Sequence, residues 1–386
     1  MKKCLISCLC LWILLIGSVY GDNSKPESTI KIGYITELSG SLHDIGLASK
    51  NAAVLAVQEI NNAGGIKIGD TNYKIDLVIA DSNSSPTQAA KVARKLITED
   101  HVVALIGPNA SRDALPVSII AEQYHIAMIT PWASGANITI NQKTNQPKQY
   151  VFRVCFNDTE EATEAATFAR RGLHAKKAAV LFDEDFPYIK EGAAVFTKTF
   201  TKLGGTIVAS QNFGGETEDF NEILTQIKNA APEVIYMPSY YSSVAPILNL
   251  ARQIGITAPF IGSDGWGNLD SLTLCGPACV GSYVINHYSP DSTNELTKKF
   301  INDYQTKYDV APNDVAALTY DAFQLLKQAL QNAASTLDPQ TIRMSLAQIR
   351  KFNGVTGTMY FTGKSGDPIK TGTIIKIKGS SLDSPI

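Results

Sequence analysis

From residue 30 the chain alternates short β-branched runs with longer amphipathic stretches, and this order restricts its fold more than any other feature. "TIKIGYIT" reads as a buried strand, "GLASKNAAVLAVQEINNAGG" as an amphipathic helix stopped by glycines, and "YKIDLVIAD" as the next strand. "SPTQAAKVARKLITED" has the Ser-Pro start of a helix, and "VVALIGP" and "IAMITP" continue the series. Antiparallel neighbours can be joined by a tight turn, but parallel strands need a crossover, usually helical. The alternation therefore predicts a parallel sheet with helices on both faces.

A second series follows the polar stretch "NQKTNQPKQ" at 141–149. It runs "KKAAVLFD", "EGAAVFTKTFTKLGG", "TIVASQNF", "FNEILTQIKNAA", "EVIYMPS", "VAPILNLARQIG" and "PFIGSDG". It repeats the first series without evident identity, so the expectation is an α/β fold of two lobes. A chain of 386 residues also exceeds what one core usually serves. The last part is less regular. "GSYVINHYS" is strand-like, helical stretches occupy 293–308 and 314–335, and "GTMYF" and "GTIIKIK" close the chain. These pieces complete the two lobes instead of forming a third, which puts crossings between lobes near 150, 282 and 354 and predicts a hinge.

The N-terminus, "MKKCLISCLCLWILLIGSVYGDN", has two lysines, an apolar run and then small residues, the pattern of a cleavable secretory leader ending near Gly21. The run is short for a membrane span. The expected division is a leader at 1–21, a first lobe of 22–150 plus 283–354, and a second lobe of 151–282 plus 355–386. In an exported chain the pair in "CGPAC", Cys275 and Cys279, is expected to be a disulfide, and Cys155 a buried free thiol. The scattered histidines make no zinc-type pair with a cysteine. A net charge of −2 gives no reason to expect nucleic acid or an anionic membrane as partner.

Ligands of open α/β sheets sit beyond the carboxyl ends of the strands. The loops there are "GPNASRDA" (107–114), "TPWASGAN" (130–137), "SYYSSVA" (239–245) and "GSDGWGN" (262–268), two per series. Ser111 stands where a helix begins, either as its N-cap or as part of an anion site. Ser134 can donate to a ligand or satisfy a turn. Asp264 lies among glycines that admit close approach, as a counter-charge or a turn aspartate, and Tyr240, Tyr241 and Trp266 add flat surfaces. One lobe suits an anionic group and the other a cationic one, as a zwitterion requires. The acids of "FDEDF" (182–186) fit a solvated loop better than a calcium site. Nucleotide-loop, nucleophile-elbow and zinc-protease signatures are missing, and nothing in the sequence alone pairs Asp264 with a histidine or a second carboxylate.

The segments "IKIGYITELSGSLHDIG", "EINNAGGI", "DSNSSPTQA", "ALIGPNAS", "MITPWAS" and "FIGSDGWGN" stand in an order and at a spacing that resembles the leucine/isoleucine/valine-binding family, the periplasmic substrate-binding proteins of branched-chain amino acid ABC transporters. The resemblance covers nearly all of the chain after the leader. It implies two flavodoxin-like (Rossmann-like) lobes with parallel sheets, joined by a three-stranded hinge and closing on one amino acid: the type I periplasmic binding protein fold. It implies that Ser111 and Ser134 hold the ligand carboxylate, that the Trp132 carbonyl and Asp264 accept the ammonium, and that Ala133, Tyr240, Gly265, Ile45 and Tyr188 help to line the cleft. Asp264 replaces a glutamate of the family, Ile45 an aromatic residue and Trp132 a small one, so the side-chain pocket is reshaped. The implied partners are a small amino acid and an ABC permease, with no cofactor, no metal and no catalysis. The implied state is a periplasmic monomer with no lasting membrane insertion. An amide, urea or aromatic-acid ligand, a sensor handing its ligand state to a receptor, and an exported α/β hydrolase using Asp264 are the alternatives.

Overall fold

The structure, a computed structural model, describes residues 28–214, 217, 219–266, 275–333, 337–378 and 382–385. The leader lies outside these residues, as do the side chains of Pro187 and Tyr188. The first series folds as β1 (Ser28–Thr36), α1 (His43–Asn62), β2 (Ile66–Ile68), β3 (Thr71–Asp81), α2 (Pro86–Thr98), β4 (Ala104–Ile106), α3 (Ser111–Tyr124) and β5 (Ala127–Thr130). A two-residue ladder, β6 (Ile140–Asn141) and β7 (Gln146–Pro147), precedes β8 (Val151–Arg153). The sheet order is β2-β3-β1-β4-β5-β8, parallel except at the edge strand β2.

The second series gives β9 (Lys177–Asp183), β10 (Thr206–Phe213), β11 (Val234–Met237), β12 (Phe260–Gly262) and β13 (Tyr283–Asn286), with α4 (Asp158–Thr167) ahead of β9 and α5 (Pro187–Lys202), α6 (Asn221–Asn229) and α7 (Tyr241–Gln253) between strands. Its sheet runs β10-β9-β11-β12-β13, parallel throughout, and is extended by antiparallel β17 (Thr373–Ile377) and β18 (Leu382–Pro385). Leaving out the antiparallel edges, both sheets share one strand order, second-first-third-fourth-fifth. That is the flavodoxin-like arrangement of a doubly wound sheet. Each sheet is covered on both faces. On the first, Ile32, Tyr34 and Ile106 pack with residues of α1 and of the helix Asp314–Asn332, while Leu105 and Met128 pack with α2 and α3. On the second, α6 and α7 cover one face and α4 and α5 the other.

Strand pairing moves the expected boundaries. Val151–Arg153 still belongs to the first sheet, next to β5. Tyr283–Asn286, expected in the first lobe, pairs with β12 in the second sheet. The small sheet β14 (Lys351–Gly354), β15 (Gly357–Phe361) and β16 (Pro368–Ile369), whose greater part was expected in the second lobe, sends Phe352, Met359 and Phe361 into the first core. The chain therefore crosses after β8, after β13 and before β17. The crossing segments lie side by side: Phe156 stacks on His287 with ring centroids 3.8 Å apart, and Lys370 Nζ donates to the Val154 carbonyl at 3.2 Å. Short runs buried on both faces carry no mark of which sheet they join, which is why the sequence located the strands more accurately than the crossings.

Cys275 and Cys279 are joined by a disulfide beside α7, and Cys155 is a buried thiol. The bridge closes a loop of four intervening bonds along the chain, so loop-closure entropy assigns it only about 2 kcal/mol. Reducing the bridge, which leaves two small apolar thiols in the apolar cluster beside α7, is expected to lower the unfolding free energy by about that amount in a denaturant titration.

Candidate ligand-binding site

The carboxyl ends of the two parallel sheets face one cavity of about 440 Å³. From the first sheet it receives Asn109 and Ser111, beyond β4, and Trp132 and Ser134, beyond β5. From the second it receives Ser239 and Tyr240, beyond β11, and Ser263, Asp264 and Gly265, beyond β12. Asp158 and Glu161 of α4, Ile189 and Gly192 of α5, Tyr236 of β11 and Pro238 just beyond it complete the wall. Trp132 and Tyr240 meet across the cleft with ring centroids 6.0 Å apart, and Phe186 packs edge-on against Tyr240 at 4.9 Å.

Ser111 is the first residue of α3 and not its cap. Its hydroxyl accepts the Gly135 N–H at 3.2 Å, tying the helix start to the loop that carries Ser134. That loop hangs on one buried guanidinium. Arg153, at the end of β8, donates to the carbonyls of Ala133 and Gly135 and to the Thr139 hydroxyl, each at 2.9 Å, and its Nε pairs with Asp367 at 2.7 Å. Ala133 is thus engaged in holding the loop and does not line the cavity. Ile45 also lies away from it, buried in the apolar cluster that includes Leu42 and Trp132. The acids at 183–185 serve their own turn: Asp183 accepts the Asp185 N–H and Glu184 accepts from Asn212.

The opposite wall is acidic. Asp264 Oδ2 lies 3.0 Å from His287 Nε2, and the Asp264 N–H donates to Glu161 Oε1 at 2.6 Å. Asp264 therefore has both a histidine and further carboxylates beside it, which the sequence alone did not reveal. Asp158, one helical turn before Glu161, links this wall to the Ser134 loop: its N–H donates to the Ser134 carbonyl at 3.2 Å and its carboxylate receives the Ser134 hydroxyl, while its Oδ2 has no hydrogen-bond partner among the described residues. Asp314 stands behind them, fully buried. Asp264, His287 and Asp314 each bring one ligand atom within 4.8 Å of the others. Within the trio Asp264 and His287 share a hydrogen bond, and Asp314 lies beside them with one carboxyl oxygen that has no hydrogen-bond partner among the described residues. His287 is stacked on Phe156 and does not line the cavity, so it supports Asp264 without reaching a bound molecule.

Burial dominates this cluster electrostatically. It pushes the Asp264 and Asp158 carboxyls up to about 7 and Asp314 up to about 8, with neighbouring negative charge adding to the last two. Glu161 is raised for the same two reasons. Burial also drives His287 well below its ordinary value, which leaves the imidazole neutral and unable to balance the acids. A carboxyl whose pKa is raised by folding binds more protons in the native state than in the unfolded one. Stability should therefore be highest near the ordinary carboxylate range and fall as pH rises through about 7. The melting temperature of the ligand-free protein is expected to drop between about pH 5 and pH 8 in a thermal scan.

Sequence reasoning missed Asn109, Asp158, Glu161, Gly192, Tyr236 and His287. A glycine in the middle of α5 was the one local signal, since glycine costs about 1 kcal/mol inside a helix. Asp158 and Glu161 resemble ordinary acids at a helix start, where the dipole favours them and where Asn157 and Glu160 form a capping box.

The fold, the paired strand-end loops and the cavity they share are those of a substrate-binding protein built from two α/β lobes. The sequence profile described as periplasmic binding protein matches residues 29–381, and the chain belongs to that family. BraC3, a Leu/Ile/Val-binding protein of Rhizobium johnstonii, is 28% identical over 341 residues, covering 88% of this chain and 89% of that one. LivJ, a branched-chain amino acid transporter substrate-binding protein of Streptococcus pneumoniae solved with isoleucine, is 31% identical, with a TM-score of 0.82 over 92% of this chain and 98% of that one. A solute-binding protein of R. palustris solved with benzoate has a TM-score of 0.79 over 92% of this chain and 95% of its own; at 22% identity this likeness concerns the fold alone.

Arg153→Met should release the loop that carries Trp132 and Ser134. Removing one partner of a buried ion pair typically costs about 3–5 kcal/mol, so a clear loss of stability is expected in a denaturant titration.

Proposed function

We propose that this protein is the substrate-binding component of an ABC transporter, capturing an amino acid, branched-chain or small and neutral, and delivering it to a membrane permease. The observation that carries the reading is that Asp264 and the hydroxyl loops face one another across a single cavity. Ser111 and Ser134 present hydroxyls beside the start of α3, where backbone N–H groups and the helix dipole favour a carboxylate. Asp264, oriented by His287 and backed by Glu161 and Asp158, accepts the ammonium together with the Trp132 carbonyl. Tyr240 and Gly265 complete the wall on the second lobe, and Tyr188 follows Pro187 at the start of α5.

The lobes act as a two-state clamp: ligand docks on the first, and the second closes because only the closed state gives it both sets of contacts. The three adjacent crossing segments are the hinge. The protein works as a periplasmic monomer after its leader is removed, needs no cofactor and performs no reaction. Among the described residues no helix is long and apolar enough to cross a membrane.

The acidic wall favours an ammonium-bearing ligand over an aromatic acid, which would set its own carboxylate or ring against three carboxyl groups. A thermal-shift panel of the twenty amino acids with urea, amides and benzoate tests this, because a ligand that binds the native state raises its melting temperature. Shifts with leucine, isoleucine, valine, alanine or threonine are expected. Shifts confined to ligands without an ammonium would overturn the assignment. Asp264→Asn keeps the shape but removes the charge, and should weaken amino acid binding by about a hundredfold, roughly 3 kcal/mol.

A further inference from the structure

The cavity wall holds more acid than one ammonium can balance. Asp158, Glu161 and Asp264 line it and Asp314 lies directly behind, while no lysine, arginine or histidine is among its lining residues. Two buried cations stand near the cluster, Arg153 acting on Asp158 and Lys370 on Asp314, but neither lines the cavity and each has hydrogen-bond partners of its own. Arg153 is paired with Asp367 and holds the loop carbonyls, and Lys370 donates to the Val154 carbonyl and the Thr356 hydroxyl and lies close to Asp321. The other titratable neighbours make ionisation harder: Glu164 stands one turn beyond Glu161, Glu191 faces Asp158 from α5, and the buried Cys155 and Tyr236 lie close by. Carboxyl groups crowded in a desolvated site cannot all ionise together, so the ligand-free cluster must retain protons.

We propose that this site takes up its ligand by exchange, with the incoming ammonium displacing to solvent a proton shared among Asp158, Glu161, Asp264 and Asp314. The inference rests on the reading of Asp264 as the ammonium partner. An ammonium brings three donors and a full positive charge to the carboxyl oxygens that line the cavity, so it competes with the proton that the cluster retains. Acid opposes capture, and neutral to alkaline conditions favour it. The raised values of about 7 for Asp158 and Asp264 place the transition close to neutrality. The charges of a free amino acid do not change over that range, so any pH dependence belongs to the protein.

Isothermal titration calorimetry of the secreted chain with L-isoleucine, and with L-alanine as a smaller probe, tests the exchange. At a fixed pH near 7, buffers of different ionisation enthalpy count the protons released. One proton exchanged predicts affinity rising up to tenfold per pH unit between about pH 6 and 7 and levelling off above about 8. Equal affinity at pH 6 and 8, with no buffer-dependent heat, would overturn the exchange and leave the amino acid reading intact. Binding of neither probe nor any other amino acid at any pH would overturn both. Glu161→Gln retains an oxygen to accept the Asp264 N–H and removes one acid, so its binding profile should move to lower pH with fewer protons released. An unchanged profile in that variant would place Glu161 outside the exchanging set.

Discussion

Parallel pairing is the constraint on which the rest of the molecule depends. A strand that runs parallel to its neighbour must be reached by a crossover, so all the carboxyl ends of a sheet open on one edge and the helices are driven to its faces. Two such sheets with the same strand order bring their loop edges together, and the loops after β4, β5, β11 and β12 then share a single space. The three crossing segments follow from the same constraint, because the pieces that finish each sheet come from a chain already committed to the other.

Within that space the two walls differ in how they meet charge. The first lobe offers hydroxyls and a helix start, which are neutral groups oriented by backbone. The second offers carboxyl groups whose solvation has largely been removed. Buried acids without a resident cation destabilise the empty protein, and they persist where a bound molecule supplies the missing charge. The acidic wall is therefore best understood as half of an interaction. Its neutral histidine fixes the direction of Asp264 without cancelling its charge.

Much of this was legible in the sequence. The β-α alternation predicted both sheets, and the strand-end rule picked out the loops of Ser111, Ser134, Tyr240 and Asp264, which line one cavity together with Trp132 and Gly265, residues that the family resemblance implied. What remained hidden depends on partners distant in the chain. His287 reads as an isolated histidine because its contact lies 23 residues away in another strand-end segment. Asp158 and Glu161 read as a helix start because local capping chemistry explains acids there equally well. Ile45 was placed in the cleft by its position in a motif, but it lies on the buried face of α1 and packs into the core. The membership of β13 and of the small sheet was equally unreadable, since a doubly buried strand looks the same in either lobe.

Arg153 has a consequence for the energetics of recognition. A loop that must find its shape when ligand arrives spends part of the interaction on lost freedom. Here a guanidinium already holds two carbonyls and a hydroxyl of the segment 133–139, and it is itself fixed by Asp367 at the entrance to the third crossing segment. The loop of Ser134 thus owes its shape to contacts within the chain and not to anything it binds, so its ordering cost is met once, during folding.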